Sequence, residues 1–107
     1  MNQHSRRVLL IEDNNEARGM LRLMLEIAGH TVYDAADGAR GLELLQAERP
    51  DIAIIDIGLP GLNGYQVARR IREVPNGHAV VLVALTGYGR PSDYQHSTDA
   101  GFDHHLV

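Results

Sequence analysis

The chain of 107 residues is long enough for one compact domain with a single core and too short for two. Its 44% hydrophobic and 22% charged residues are those of an ordinary globular protein, and a net charge of −4 argues against nucleic acid as a direct partner, because phosphate contacts need a concentrated basic surface. Disulfides, thiolate metal sites and cysteine nucleophiles are excluded by the absence of cysteine, and the ten basic residues are all arginine.

Met1 to Arg7 is polar, and residues 1–6 are expected to form a disordered tail. The run Val8-Leu9-Leu10-Ile11 is too short for a signal-peptide core or a bilayer span, so a cytoplasmic location is expected. Val8 to Ile11, Ile52 to Ile55 and Ala79 to Leu85 are continuous apolar runs rich in valine and isoleucine, which suits strands buried on both faces of a parallel sheet. Met20, Leu21, Met24, Leu25 and Ala28 form a helical stripe closed by Gly29. Thr31 to Ala35 reads as a short second strand. Leu42, Leu44, Leu45 and Ala47 mark a second helix ended by Pro50, and Val67, Ala68 and Ile71 a third that stops before Pro75-Asn76-Gly77. Pro91 to Ala100 reads as a polar fourth helix with Gly101 beyond its end, and Phe102 to Val107 as a fifth strand. Alternating strands and helices predict a doubly wound α/β domain, an open parallel five-stranded sheet with right-handed crossovers.

Ligands bind such sheets at the carboxyl ends of the strands. The first strand ends in Glu12-Asp13, the third in Asp56, and the fourth runs into Thr86. Each has a plain structural reading as well. Asp13-Asn14-Asn15-Glu16 equally fits a capping box in which Asp13 serves the helix start. Asp56 could end a strand before the turn Gly58-Leu59-Pro60-Gly61, and Thr86 could do the same before Gly87. Those readings weaken together, because all four residues fall on one sheet edge. Crowded carboxylates call for a cation, and a hard divalent ion such as Mg²⁺ is the natural partner of oxygen ligands. A carboxylate beside Mg²⁺ can attack a phosphoryl group to form an acyl phosphate.

The segments VLLIED (8–13), DIAIIDIGLPGLNGY (51–65), ALTG (84–87) and GFD (101–103), in this order and spacing, resemble the receiver domain of bacterial two-component response regulators. The resemblance implies a sheet ordered 2-1-3-4-5, Mg²⁺ bound by Glu12, Asp13, Asp56 and the backbone carbonyl of Gly58, and Asp56 as phosphoacceptor. It implies Thr86 as the phosphate-contacting switch residue. The partner is a histidine kinase or histidine phosphotransfer domain, and the only reactions are the domain's own phosphorylation and dephosphorylation. Further kinase or effector domains of a parent protein are compatible with it, and it implies neither direct nucleic-acid binding nor a membrane segment.

Two departures from the family stand out. The fifth-strand lysine would follow Val107, the sequence contains no lysine, and Arg90 lies on the wrong segment to replace it. A chain truncated before that lysine and the last helix is therefore expected. Loss of that helix would bare apolar side chains of the first and third strands and favour a homodimer through the open face. The aromatic switch position falls on His105, a ring that titrates near neutrality. The rival function is a pseudo-receiver, a phosphorylation-independent interaction module, to which the absent lysine points and the intact acidic set does not. A phosphatase with an aspartyl-phosphate intermediate would carry a second acid where Gly58 stands, and a flavodoxin-like cofactor site would not place Asp13-Asn14-Asn15-Glu16 where a phosphate must sit.

Overall fold

A computed structural model describes residues 5–85 and 91–106. In chain order the elements are β1 (Arg7–Ile11), α1 (Asn15–Ile27), β2 (Thr31–Ala35), α2 (Gly38–Glu48), β3 (Ile52–Asp56), α3 (Gly64–Glu73), a 3-10 turn (Gly77–Ala79), β4 (Val81–Leu85), α4 (Pro91–Ala100) and β5 (His104–Leu106). The five strands are parallel and ordered β2-β1-β3-β4-β5, the doubly wound arrangement expected.

The core lies on one face of the sheet. Leu9, Ile11, Ala53, Ile55, Leu82 and Ala84 alternate along three strands and pack against Leu45, Val67, Ala68, Ile71 and Phe102. Val8 to Ile11 bury β1 on both faces at no more than 2% exposure, and on β2 Val32 is buried beside Val8 and Ala35 beside Ile11. On β3 and β4 the other face is open: Ile52, Ile54 and Val83 are half-buried and Val81 is exposed. The reading of all three runs as buried on both sides therefore needs correcting. So does the expectation that the first strand is bared, because α1 lies over β1 and β2 and shields Val8 and Leu10. The helix itself has no buried residue, and Met20, Leu23, Met24 and Ile27 are 58–77% exposed.

Boundaries follow local chemistry. The Asn14 side chain, and not that of Asp13, caps α1 by accepting the Ala17 N–H at 2.9 Å. Gly29, just past the helix, takes a left-handed φ of 98° that a side chain would strain. A reciprocal capping box of Asn63 and Gln66 starts α3. Ala79, read as strand, belongs to the 3-10 turn, and β5 begins at His104 and not at the expected Phe102 because Gly101, at φ 104°, turns Phe102 into the core. Arg6, at the end of the expected tail, is bonded through its carbonyl to the Thr31 N–H at 2.9 Å.

Arg72 ties the far elements together. Its guanidinium donates to the carbonyls of Gly77 (2.8 Å), Val80 (2.6 Å) and Gly101 (2.6 Å from Nη2, 3.0 Å from Nε), and to the Asp103 carboxylate at 2.7 Å. Burial alone would raise the Asp103 carboxyl, but the Leu82 N–H and the Arg72 guanidinium outweigh it and hold it below the usual carboxylate value.

Candidate functional site

Parallel pairing of Ile11 with Ile55 brings the residues that follow β1 beside Asp56, the last residue of β3. Glu12, Asp13 and Asp56 each offer a carboxylate oxygen, and these atoms lie within 4.8 Å of one another. Glu12 and Asp56 are half-buried and Asp13 is exposed. Because Asn14 satisfies the start of α1, the Asp13 carboxylate is not consumed by capping. That removes the strongest plain reading of this residue.

The plain reading of Asp56 survives in part. One of its oxygens accepts the Gly58 N–H at 2.9 Å, an Asx-type bond that fixes the side chain and opens the loop over residues 57–63. Leu59, only 4% exposed, pins that loop to the core. Its return is tight enough that a Cβ on Gly64 would stand 2.5 Å from the Ile57 Cα and 2.6 Å from the Asp56 carbonyl oxygen. Gly64 closes the Leu-Pro-x-x-x-Gly segment, and the sequence shows it as a turn residue without showing this approach to the acceptor strand.

Burial pushes the Glu12 carboxyl up to about 7, reinforced by a hydrogen bond to Asp56 and the negative charge of Asp56, against a smaller opposing bond from the Asn14 N–H. Crowding of this kind disfavours ionisation of all three carboxylates together. An all-oxygen donor set with uncompensated charge fits a hard divalent cation, and Mg²⁺ among them takes few protein ligands.

Of the other expected site residues, Thr86 lies outside the described residues, as do Arg90 and Val107. Gly58 is in place beside Asp56 through its N–H. His105 stands on β5 opposite Ala84, half-buried on the covered face, one residue short of the row Asp56–Leu85–Leu106. A groove of about 360 Å³ lined by Leu45, Arg49, Pro75 and Val80 opens at the opposite end of the sheet and carries none of this chemistry.

The family model described as "Response regulator receiver domain" matches residues 8–107. The chain belongs to the response regulator receiver domain family. Among curated relatives of the receiver, an uncharacterised 14.6 kDa protein of Leptolyngbya boryana is 34% identical over 94% of this chain and 76% of its own length. The transcriptional regulatory protein AfsQ1 of Streptomyces coelicolor is 38% identical, and this receiver spans 94% of itself but only 43% of AfsQ1. Among solved structures, the chemotaxis protein CheY4 of Vibrio cholerae superposes with a TM-score of 0.91 at 29% identity, covering 94% of this receiver and 84% of that chain. The receiver domain of the sensor histidine kinase PA1611 of Pseudomonas aeruginosa, with a magnesium ion coordinated in its active-site cleft, gives a TM-score of 0.88 at 32% identity, covering 96% and 84%. No helix among the described residues is long and apolar enough to cross a membrane.

Proposed function

We propose that this receiver accepts a phosphoryl group on Asp56 from a phosphohistidine of a histidine kinase or histidine phosphotransfer domain, with Mg²⁺ held by Glu12, Asp13, Asp56 and the Gly58 carbonyl. The observation that carries the reading is the convergence of the three carboxylates within 4.8 Å, with Glu12 raised to about 7. An Asp56 oxygen attacks the phosphorus in line, the P–N bond to the donor imidazole breaks, and an acyl phosphate forms on Asp56; attack by water later returns the carboxylate and inorganic phosphate. The Gly58 N–H holds the Asp56 side chain in one orientation for both steps. When bound, Mg²⁺ neutralises charge on the carboxylates and the transferring phosphoryl. The magnesium of the PA1611 receiver supports this assignment by likeness. Thr86 and His105 are assigned the switch roles on the same family pattern. A phosphorylation-independent pseudo-receiver has less in its favour, since Glu12, Asp13 and Asp56 are all retained.

The test is intact mass after incubation with acetyl phosphate and Mg²⁺, for the chain itself and for a version with a lysine added after Val107, each beside Asp56→Asn. One phosphoryl adduct on either Asp56 protein and none on the asparagine variants is the expected result. No adduct on any of them sinks the reading.

A second copy of the chain is proposed as a further partner. Met20, Leu23, Met24 and Ile27 recur at helical spacing on α1 and are exposed, and Ile52, Ile54, Val81 and Val83 stand open on β3 and β4. An exposed apolar row of this kind suits burial against a second copy in an isologous pairing.

A further inference from the structure

The peptide joining Glu12 to Asp13 carries two of the three carboxylates, so its orientation decides where both side chains begin. Glu12 is held through the peptides on both sides of it, and Arg18 is bonded to the one it shares with Asp13. The Glu12 N–H donates to the Ala35 carbonyl of β2 at 3.1 Å. The Glu12 carbonyl accepts from Nη1 of Arg18, on α1, at 2.9 Å. The same guanidinium donates through Nη2 to the Asn15 Oδ1 at 2.7 Å, and its Nε lies 3.8 Å from Asp34. Arg22 approaches the other Asp34 oxygen at 3.2 Å. With its side chain 19% exposed, Arg18 is a fixed brace spanning the strand end, the helix start and β2.

We infer that Arg18 is a positioning residue for the divalent cation, acting through the Glu12–Asp13 peptide. The inference rests on the Mg²⁺ reading proposed above. Two effects of removing Arg18 oppose each other, which makes the idea decidable. If Arg18 acted only as a charge, its removal would relieve repulsion of the cation: a unit charge about 10 Å from a divalent ion in water-like surroundings amounts to roughly a fourfold tightening. If it positions the peptide, removal leaves the Glu12 carbonyl without its donor and lets the acidic pair drift. Loss of partners that orient ligands weakens metal sites by about 10–100-fold. Asp34 already offsets much of the Arg18 charge, so positioning should win.

Mg²⁺ titration by calorimetry at pH 8, where Glu12 is ionised, on the wild-type chain and on Arg18→Met, Arg18→Lys and Asp34→Asn tests this, with urea unfolding without metal as the control for folding. Arg18→Met, which keeps the apolar stem, is expected to bind about tenfold more weakly. Arg18→Lys, with the charge and one donor but no fork, should lose about threefold. Asp34→Asn, which spares the Glu12 bond and only unmasks the Arg18 charge, should lose no more than the roughly fourfold of that Coulomb effect, clearly less than Arg18→Met. Should Arg18→Met fail to fold, the lysine variant decides by the same sign. Affinity equal to or tighter than wild type in the folded Arg18 variants overturns the inference alone. Absence of Mg²⁺ binding by the wild type overturns the Mg²⁺ reading and this inference with it.

Discussion

Glu12 is a carboxyl that folding pushes toward its neutral form. Its value rises from 4.5 to about 7, chiefly by burial and then by Asp56. A group raised on folding contributes stability that is complete below its unfolded value and is lost as pH climbs through the folded one. The metal-free chain should therefore be more stable near pH 5 than near pH 8. After discounting for water access to this half-exposed group, the difference is about 1–2 kcal/mol. The Asp103 contribution has the opposite sign and a different window: its lowered carboxyl stabilises at neutral pH and loses that effect only as pH falls below about 4. Urea midpoints measured from pH 5 to 8 should fall for the wild type and fall less steeply for Asp56→Asn, which removes one partner of Glu12 and leaves its burial. Saturating Mg²⁺ should reverse the trend, since it selects ionised Glu12. A rising midpoint without metal would contradict this account of the site.

At the level of elements, most of the architecture could be read from the sequence because strand runs and helix stops are local signals. Thr31 to Ala35 and Pro91 to Ala100 appear in the structure with the expected bounds. The misreadings came from tertiary context. Whether a run is covered on one face or two depends on where α1 lands, and nothing in Ile52 to Ile55 records that. Asp13 and Asn14 both have capping chemistry, and only the turn geometry chooses Asn14. The carboxylate site was legible as a set because strand ends are predictable from runs, whereas Arg18 and Arg72 look like ordinary surface arginines until the chain folds. Gly64 is a similar case, and it allows a sharp test. Its absent Cβ lets the start of α3 press on Ile57 and the Asp56 carbonyl, both backbone groups that cannot swing aside. Gly64→Ala should lower stability by about 1–3 kcal/mol in urea unfolding and slow phosphorylation of Asp56, because the strain falls on the acceptor strand itself. An equally disruptive change far away, Arg72→Met, strands the carbonyls of Gly77, Val80 and Gly101; it should cost about 2–4 kcal/mol while leaving Mg²⁺ affinity within about twofold. If both variants destabilise and both lose Mg²⁺ affinity alike, the loop and the clamp are not separable in the way the contacts indicate.

For the whole molecule, the decisive asymmetry is that one face of the sheet is sealed by α2 and α3 while on the other α1 covers β1 and Val32 of β2 and leaves β3 and β4 open. Folding has thus left water against Ile52, Ile54, Val81 and Val83, and against a full stripe of α1 led by Ile27 at 77% exposure. Apolar surface of this extent releases free energy when covered, at about 25 cal/mol per Å², but association must first offset the loss of free tumbling. The pairing proposed above is therefore expected to be a dimer of modest affinity. Sedimentation velocity of the 107-residue chain from about 5 to 500 μM should show a monomer giving way to a dimer, with the midpoint in the micromolar range. Ile27→Glu and Met24→Glu place charges on the apolar row at exposed positions, so the fold should survive and the dimer should not. Asp56→Asn should leave the association untouched, since the carboxylates sit at the sheet's edge and the patch on its open face. A wild-type chain that sediments as a monomer across the whole range, with the two glutamate variants indistinguishable from it, would show that water is tolerated on this face and that self-association is not one of its uses.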